Sequence, residues 1–117
     1  MSEAIMKHHL DAFEERDVEE ILKDYTEDST IITPDAVIRG LDAIRMQYEI
    51  VTKTLLPAGA EFVVKKKVVD GNVGYLIWHA ESDYFKVPFA TDTFVFEDGK
   101  IKTHTIAFVM EGKHHTD

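Results

Sequence analysis

Asp92 is an ionisable side chain within Phe89-Ala90-Thr91-Asp92-Thr93-Phe94-Val95-Phe96, where nearly every other residue is apolar or β-branched. In a strand, period-two alternation groups Ala90, Asp92, Phe94 and Phe96 on one face. Burying an uncompensated carboxyl is costly, so Asp92 has to be paired or kept for use. His9 poses a similar question on a helical stripe, four residues from Ile5 and four from Phe13. An aspartate facing a histidine in an apolar cleft forms an acid–base pair, because desolvation and mutual charge tune both toward neutral pH. The competing reading makes both satisfied structural residues. Other chemistries lack their residues. There is no cysteine, hence no disulfide, thiolate metal site or cysteine nucleophile. No glycine-rich phosphate loop and no serine nucleophile elbow is present.

The elements that must position these groups follow from periodicity. Ser2 is a cap for a helix to about Glu15, with Ile5, His9, Ala12 and Phe13 facing inward. Asp17 opens a second helix with Glu20 in the capping-box position, and Val18, Ile21, Leu22 and Tyr25 form its apolar stripe. Short strands at Thr30–Thr33 and Ala36–Ile38 flank a Pro34-Asp35 turn. A third helix runs from Leu41 to about Lys53, with Tyr48 on its apolar stripe, before Pro57 and Gly59 stop it. Four long strands are predicted at Glu61–Val69, Val73–Glu81, Tyr84–Phe96 and Lys100–Met110, with turn signals at Asp70-Gly71-Asn72 and Glu97-Asp98-Gly99. Pro88 marks a bulge or an edge region. The order ααββαββββ implies an α+β domain with helices on one face of a strongly curved, mostly antiparallel sheet. Such a curved sheet leaves a blind cavity suited to a ligand.

The chain has 117 residues, 44% hydrophobic and 30% charged, consistent with one soluble domain over 1–112 and a polar tail over 113–117. A net charge of −9 argues against nucleic acid and anionic membranes as partners. The basic run Lys65-Lys66-Lys67 reads either as an anion patch or as a solvated edge strand. Met1–Leu10 lacks the apolar core of a secretory signal, so a cytoplasmic location is expected.

Several segments resemble the SnoaL-like branch of the nuclear transport factor 2-like superfamily. They are Asp17-Val18-Glu19-Glu20-Ile21, Tyr25-Thr26-Glu27-Asp28-Ser29-Thr30-Ile31, Arg39-Gly40-Leu41-Asp42-Ala43-Ile44, and Asp92 through Ile101. The resemblance implies a cone-shaped α+β barrel with a ligand pocket, commonly a homodimer through the outer sheet face. Its members include polyketide cyclases, ketosteroid isomerase and dehydratases, so fold does not transfer activity. Against ketosteroid isomerase, aligned at Asp17, Thr33 stands where the general-base aspartate would be and His9 where an oxyanion-hole tyrosine would be. Asp92 alone matches, at the position of a carboxylic acid that donates a hydrogen bond. Thr33 cannot abstract a proton at neutral pH, so ketosteroid isomerisation itself is not expected.

The same alignment places Tyr75, Ile77 and His79 in the cavity from one strand, and His104, Ile106 and Phe108 from the last. Period two supports each trio internally, whereas a bulge near Pro88 would invert the relation between strands. The expected polar set is Asp92, His104, His79 and His9. The expected ligand contacts are Phe13, Thr33, Tyr48 and Phe94 together with Tyr75, Ile77, Ile106 and Phe108. Trp78, opposite in parity to His79, is assigned to the helix-covered core or the dimer face. Asp35 becomes a base only if its loop turns inward. No metal or other cofactor is expected, since the histidines lack H-x-H and H-x-x-x-H spacing and adjacent pairs such as His8-His9 and His114-His115 do not converge. Two functions remain open. One is cofactor-independent proton transfer on an apolar carbonyl compound by an isomerase, cyclase or dehydratase. The other is non-catalytic binding of a small apolar molecule.

Overall fold

A computed structural model describes residues 1–113; the tail's His114-His115 pair lies outside the described residues. The elements run α1 (Ser2–Glu14), α2 (Val18–Leu22), β1 (Thr30–Ile32), β2 (Val37–Arg39), α3 (Leu41–Ile50), β3 (Glu61–Asp70), β4 (Val73–Glu81), β5 (Phe85–Glu97) and β6 (Lys100–Gly112). This is the ααββαββββ order. One addition is a π-helical turn, Val51–Leu55, that extends α3. There the Thr52 hydroxyl donates to the Tyr48 carbonyl at 2.7 Å. Asp17 caps α2 by accepting from the Glu20 backbone N–H at 3.2 Å. Ser2 is already the first helical residue of α1 and makes no side-chain cap.

One six-stranded sheet carries the order β2-β1-β6-β5-β4-β3. All neighbours are antiparallel except β1 with β6. The sheet curves into the cone of an α+β fold but stays open, with β2 and β3 as its two edges. The lysine run lies on the edge strand β3, and all three lysines are exposed. Lysines there discourage pairing with a second sheet.

The helices fill the concave side. Ile5, Met6, His9, Ala12 and Phe13 of α1 are buried, together with Ile44 and Tyr48 of α3. Gly74 on β4 lets α1 approach: a Cβ there would lie 2.4 Å from the Met6 methyl and 3.0 Å from the Phe96 ring. The concave face of β5 is Ala90, Asp92, Phe94 and Phe96, all buried, as alternation requires.

Two irregularities decide which side chains reach that concavity. At the tip of the β4–β5 hairpin Glu81 pairs with Lys86 and Ala80 with Val87. Carried on unbroken, that register would set Tyr75 opposite Asp92. The register instead shifts between Trp78 and Ala80, and on β5 the pairing with β6 breaks between Lys86 and Phe89, so that Leu76 stands opposite Asp92. One extra residue on β5 has turned the whole of β4 over. Leu76 and Trp78 therefore face inward, and Tyr75, Ile77 and His79 face the outer side of the sheet. This corrects their expected place in the cavity.

Candidate active site

Asp92 sits on β5 between two flanking strands, and a diagonal neighbour on each reaches it. From β6, His104 Nε2 lies 2.8 Å from Asp92 Oδ2. From β4, Trp78 Nε1 donates to Asp92 Oδ1 at 2.8 Å. The ladder makes this geometry available, because the direct partners of Asp92 are Ile106 and Leu76, and same-face residues two positions away lie within reach of long side chains. His104 is 1% exposed and Asp92 8%. The Phe94 ring stacks on the His104 imidazole at 4.1 Å between centroids.

Behind His104 the polar contacts continue. Its Nδ1 lies 2.9 Å from the Tyr25 hydroxyl, which lies 2.7 Å from the Tyr48 hydroxyl. Tyr48 Oη is 3.4 Å from His9 Nε2. Burial dominates the titration of His104, Tyr25 and Tyr48. It holds His104 below the ordinary histidine value, against the opposing pull of Asp92. It also pushes Tyr25 and Tyr48 well above ordinary phenols. At neutral pH His104 is thus an uncharged imidazole between an acid and a phenol, and both tyrosines keep their protons.

In front of Asp92 lies a cavity of about 110 Å³. Its polar wall is Asp92, His104, His9, Trp78, Thr33 and Gln47; the rest includes Phe13, Phe62, Leu76, Ile106 and Phe108, with Tyr48 beside His9. Phe13, Thr33, Tyr48, Ile106 and Phe108 therefore line the cavity. Phe94 is fully buried against His104 and outside the cavity lining. The Thr33 hydroxyl accepts from the Asp35 and Ala36 backbone N–H groups, closing the turn after β1. Asp35 is exposed and outside the lining. Among the described residues no group of three or more His, Cys, Asp or Glu side chains converges to hold a metal ion.

Trp78 lies on the helix-covered side, one of the two places expected for it, but its bond to Asp92 and the polar role of Tyr25 were not expected. Tyr25 reads as one more apolar position of the α2 stripe, yet its hydroxyl is spent on His104 and Tyr48. The available signal was chemical: a buried tryptophan or tyrosine needs a partner for its polar atom.

An open, curved α+β cone with a blind, largely apolar cavity on its helix-covered side defines the nuclear transport factor 2-like class. The model of the SnoaL-like domain matches residues 6–104, and the chain belongs to that family. No protein of curated function matches it. Among solved structures, it is similar to an NTF2-like protein of unknown function from Cytophaga hutchinsonii (17% identity, 93% of this chain and 90% of that one, TM-score 0.77). A putative ketosteroid isomerase from Kribbella flavida is also similar (15%, 99% and 82%, 0.77). So is SalBIII, an epoxide hydrolase/cyclase-like enzyme with a role in pyran ring formation in the polyether salinomycin (19%, 96% and 95%, 0.78). At these identities the likenesses show the fold. No described helix is long and apolar enough to cross a membrane.

Proposed function

We propose that this chain is a cofactor-independent proton-transfer enzyme acting on a compact apolar carbonyl compound, as an isomerase, cyclase or dehydratase. The observation that carries the reading is Asp92, a carboxyl held between Trp78 Nε1 and His104 Nε2 at the wall of an apolar cavity. Trp78 can only donate, so it fixes Oδ1 in place, while Oδ2 and His104 Nε2 share one proton position. That pair takes a proton from one substrate atom and returns it to another. His9 stands behind it, and His79, on the outer face, has no part. A cavity of about 110 Å³ is below the ~300–1,000 Å³ of drug-sized pockets, and near the ~150 Å³ that accommodates benzene. The substrate is therefore about the size of a single ring, bound mainly by Phe13, Tyr48, Ile106 and Phe108, with Thr33 at the rim. The same reading makes the protein a cytoplasmic homodimer through its outer sheet face.

The test is α-proton exchange. Small cyclic ketones and enones are incubated with the protein in D2O, and loss of their α-proton signals is followed by NMR. Asp92→Asn is expected to lower the rate by about 10²-fold or more. If the ketones bind equally well to wild type and Asp92→Asn and neither exchanges them above solvent, the chain is a binding domain, the alternative this cavity also suits.

A further inference from the structure

The hydrogen-bonded side chains behind Asp92 do not stop at His9. His9 Nδ1 is buried without a hydrogen bond among the described residues, and it faces Asp24 Oδ2 at 3.8 Å. Both Asp24 carboxyl oxygens lie 2.8 Å from His8 Nδ1, and His8 Nε2 meets Glu20 Oε1 at 3.0 Å. The His8 side chain is 37% exposed and lies outside the cavity lining. Seven side chains from α1, α3, β5, β6 and the turn after α2 thus join a cavity acid to a solvent-facing imidazole. A functional carboxyl pair needs only its immediate partners, so the length of this chain needs its own explanation.

We propose that it is a proton path connecting Asp92 with solvent at His8, independent of the cavity mouth. The inference rests on the proton-transfer reading above. In the forward pass His8, protonated, gives its Nδ1 proton to Asp24. Asp24 gives one to His9 Nδ1 as the Nε2 proton of His9 leaves for the Tyr48 oxygen. The Tyr48 proton passes to Tyr25, that of Tyr25 to His104 Nδ1, and the Nε2 proton of His104 to Asp92. His8 ends neutral and Asp92 ends as a carboxylic acid. Asp24 is again a carboxylate, each tyrosine has lost one proton and gained one, and the two inner histidines have changed tautomer. No bond between heavy atoms forms or breaks. The reverse pass carries a proton taken from substrate out to His8 and restores the starting tautomers.

The structure supplies what each step requires. His104 has a hydrogen-bond partner on each ring nitrogen, and His9 has one on Nε2 with Asp24 facing its Nδ1, which lets an imidazole accept on one side while donating on the other. Burial keeps the tyrosines from ionising, so they act by simultaneous gain and loss. Contact with Glu20 and then Asp24 holds His8 above its ordinary value, so it takes up a proton more readily than a free imidazole. The 3.8 Å gap between His9 and Asp24 is the one link that must shorten.

The test reads the hydroxyl of Tyr25, a residue 3% exposed and outside the cavity lining. Its exchange with water is measured by NMR on the intact protein. Asp24→Asn, equal in shape but unable to pass a proton, is expected to slow exchange by about tenfold or more. His8→Gln, at the surface, is expected to slow it too, and it decides the matter alone if Asp24→Asn does not fold. An unchanged rate in a folded variant overturns the path, since protons then reach Tyr25 only through the cavity. The measurement needs no turnover. A failed path therefore leaves the α-proton assay standing, and a failed assay leaves the path measurable.

Discussion

Trp78 shows what a single donor does for a buried carboxyl. Its ring packs on Phe62 with centroids 5.1 Å apart, while its Nε1–H is spent on Asp92. Trp78→Phe keeps most of the packing and deletes the donor, leaving Asp92 Oδ1 buried without a partner. Hydrogen bonds to charged groups contribute roughly 1.5–3 kcal/mol, and a loss of that size is expected in urea denaturation. A loss under about 0.5 kcal/mol would mean that Asp92 is solvated from the cavity and not held by Trp78. The two titrating histidines pull stability in opposite directions with pH. His104 is held low by burial, so the unfolded chain takes up its proton first and folding weakens as pH falls below about 6.5. His8 is held high, first by Glu20 and then by Asp24. Its contribution is fully present below the unfolded value of about 6.5 and is lost as pH rises through the folded value. His8→Gln should therefore cost more stability at about pH 5.5 than at about pH 9. Chemical denaturation at both pH values checks this, and a deficit independent of pH removes the ion pairs as its cause.

Gly74 and the β5 bulge set where whole elements lie. Any side chain at Gly74 meets Met6 of α1 and Phe96 of β5, so Gly74→Ala must push α1 off the sheet or displace the Met6 methyl. Overpacking of this kind costs about 1–3 kcal/mol. In a Met6→Ala background the same substitution should cost clearly less, because the nearest clash is gone; a double-mutant cycle with no coupling would contradict that account. The same elements explain what could be read in advance. Helix stripes and strand alternation depend on local spacing, so the ααββαββββ order and the inward sets Asp92-Phe94 and His104-Ile106-Phe108 could be read along single segments. The inward face of β4 could not. It depends on a register set across the hairpin, where one residue near Pro88 exchanges Trp78 for His79. Tyr25 was hidden for another reason: stripe counting records where a phenol points and not what its hydroxyl requires.

At the scale of the molecule, the outer sheet face is out of keeping with a chain of net charge −9. Across the middle of β4, β5 and β6 it presents Tyr75, Ile77, His79, Thr91, Thr93, Thr105 and Ala107, with no Asp, Glu, Lys or Arg among them. Beside these, the cross-strand pair Phe89 and Val109 is 52% exposed at each residue. A solvated antiparallel face ordinarily alternates to polar and charged side chains, and one free of charge with exposed Phe and Val beside it points to a covered surface. We expect a two-fold homodimer through this face, in which each substitution is presented twice. Ala107→Glu would bring like charges and two unpaired carboxylates into the contact. Light scattering should give the wild type about twice the 13.4 kDa chain mass and the variant the chain mass. A wild type already at the chain mass removes the dimer. Ala107 points away from the cavity, whereas its neighbours Ile106 and Phe108 line it. The monomeric variant should therefore still bind the small ketones at high protein concentration while melting at a lower temperature. Loss of binding with an intact fold would instead mean that the partner helps hold β6, and with it His104, in place.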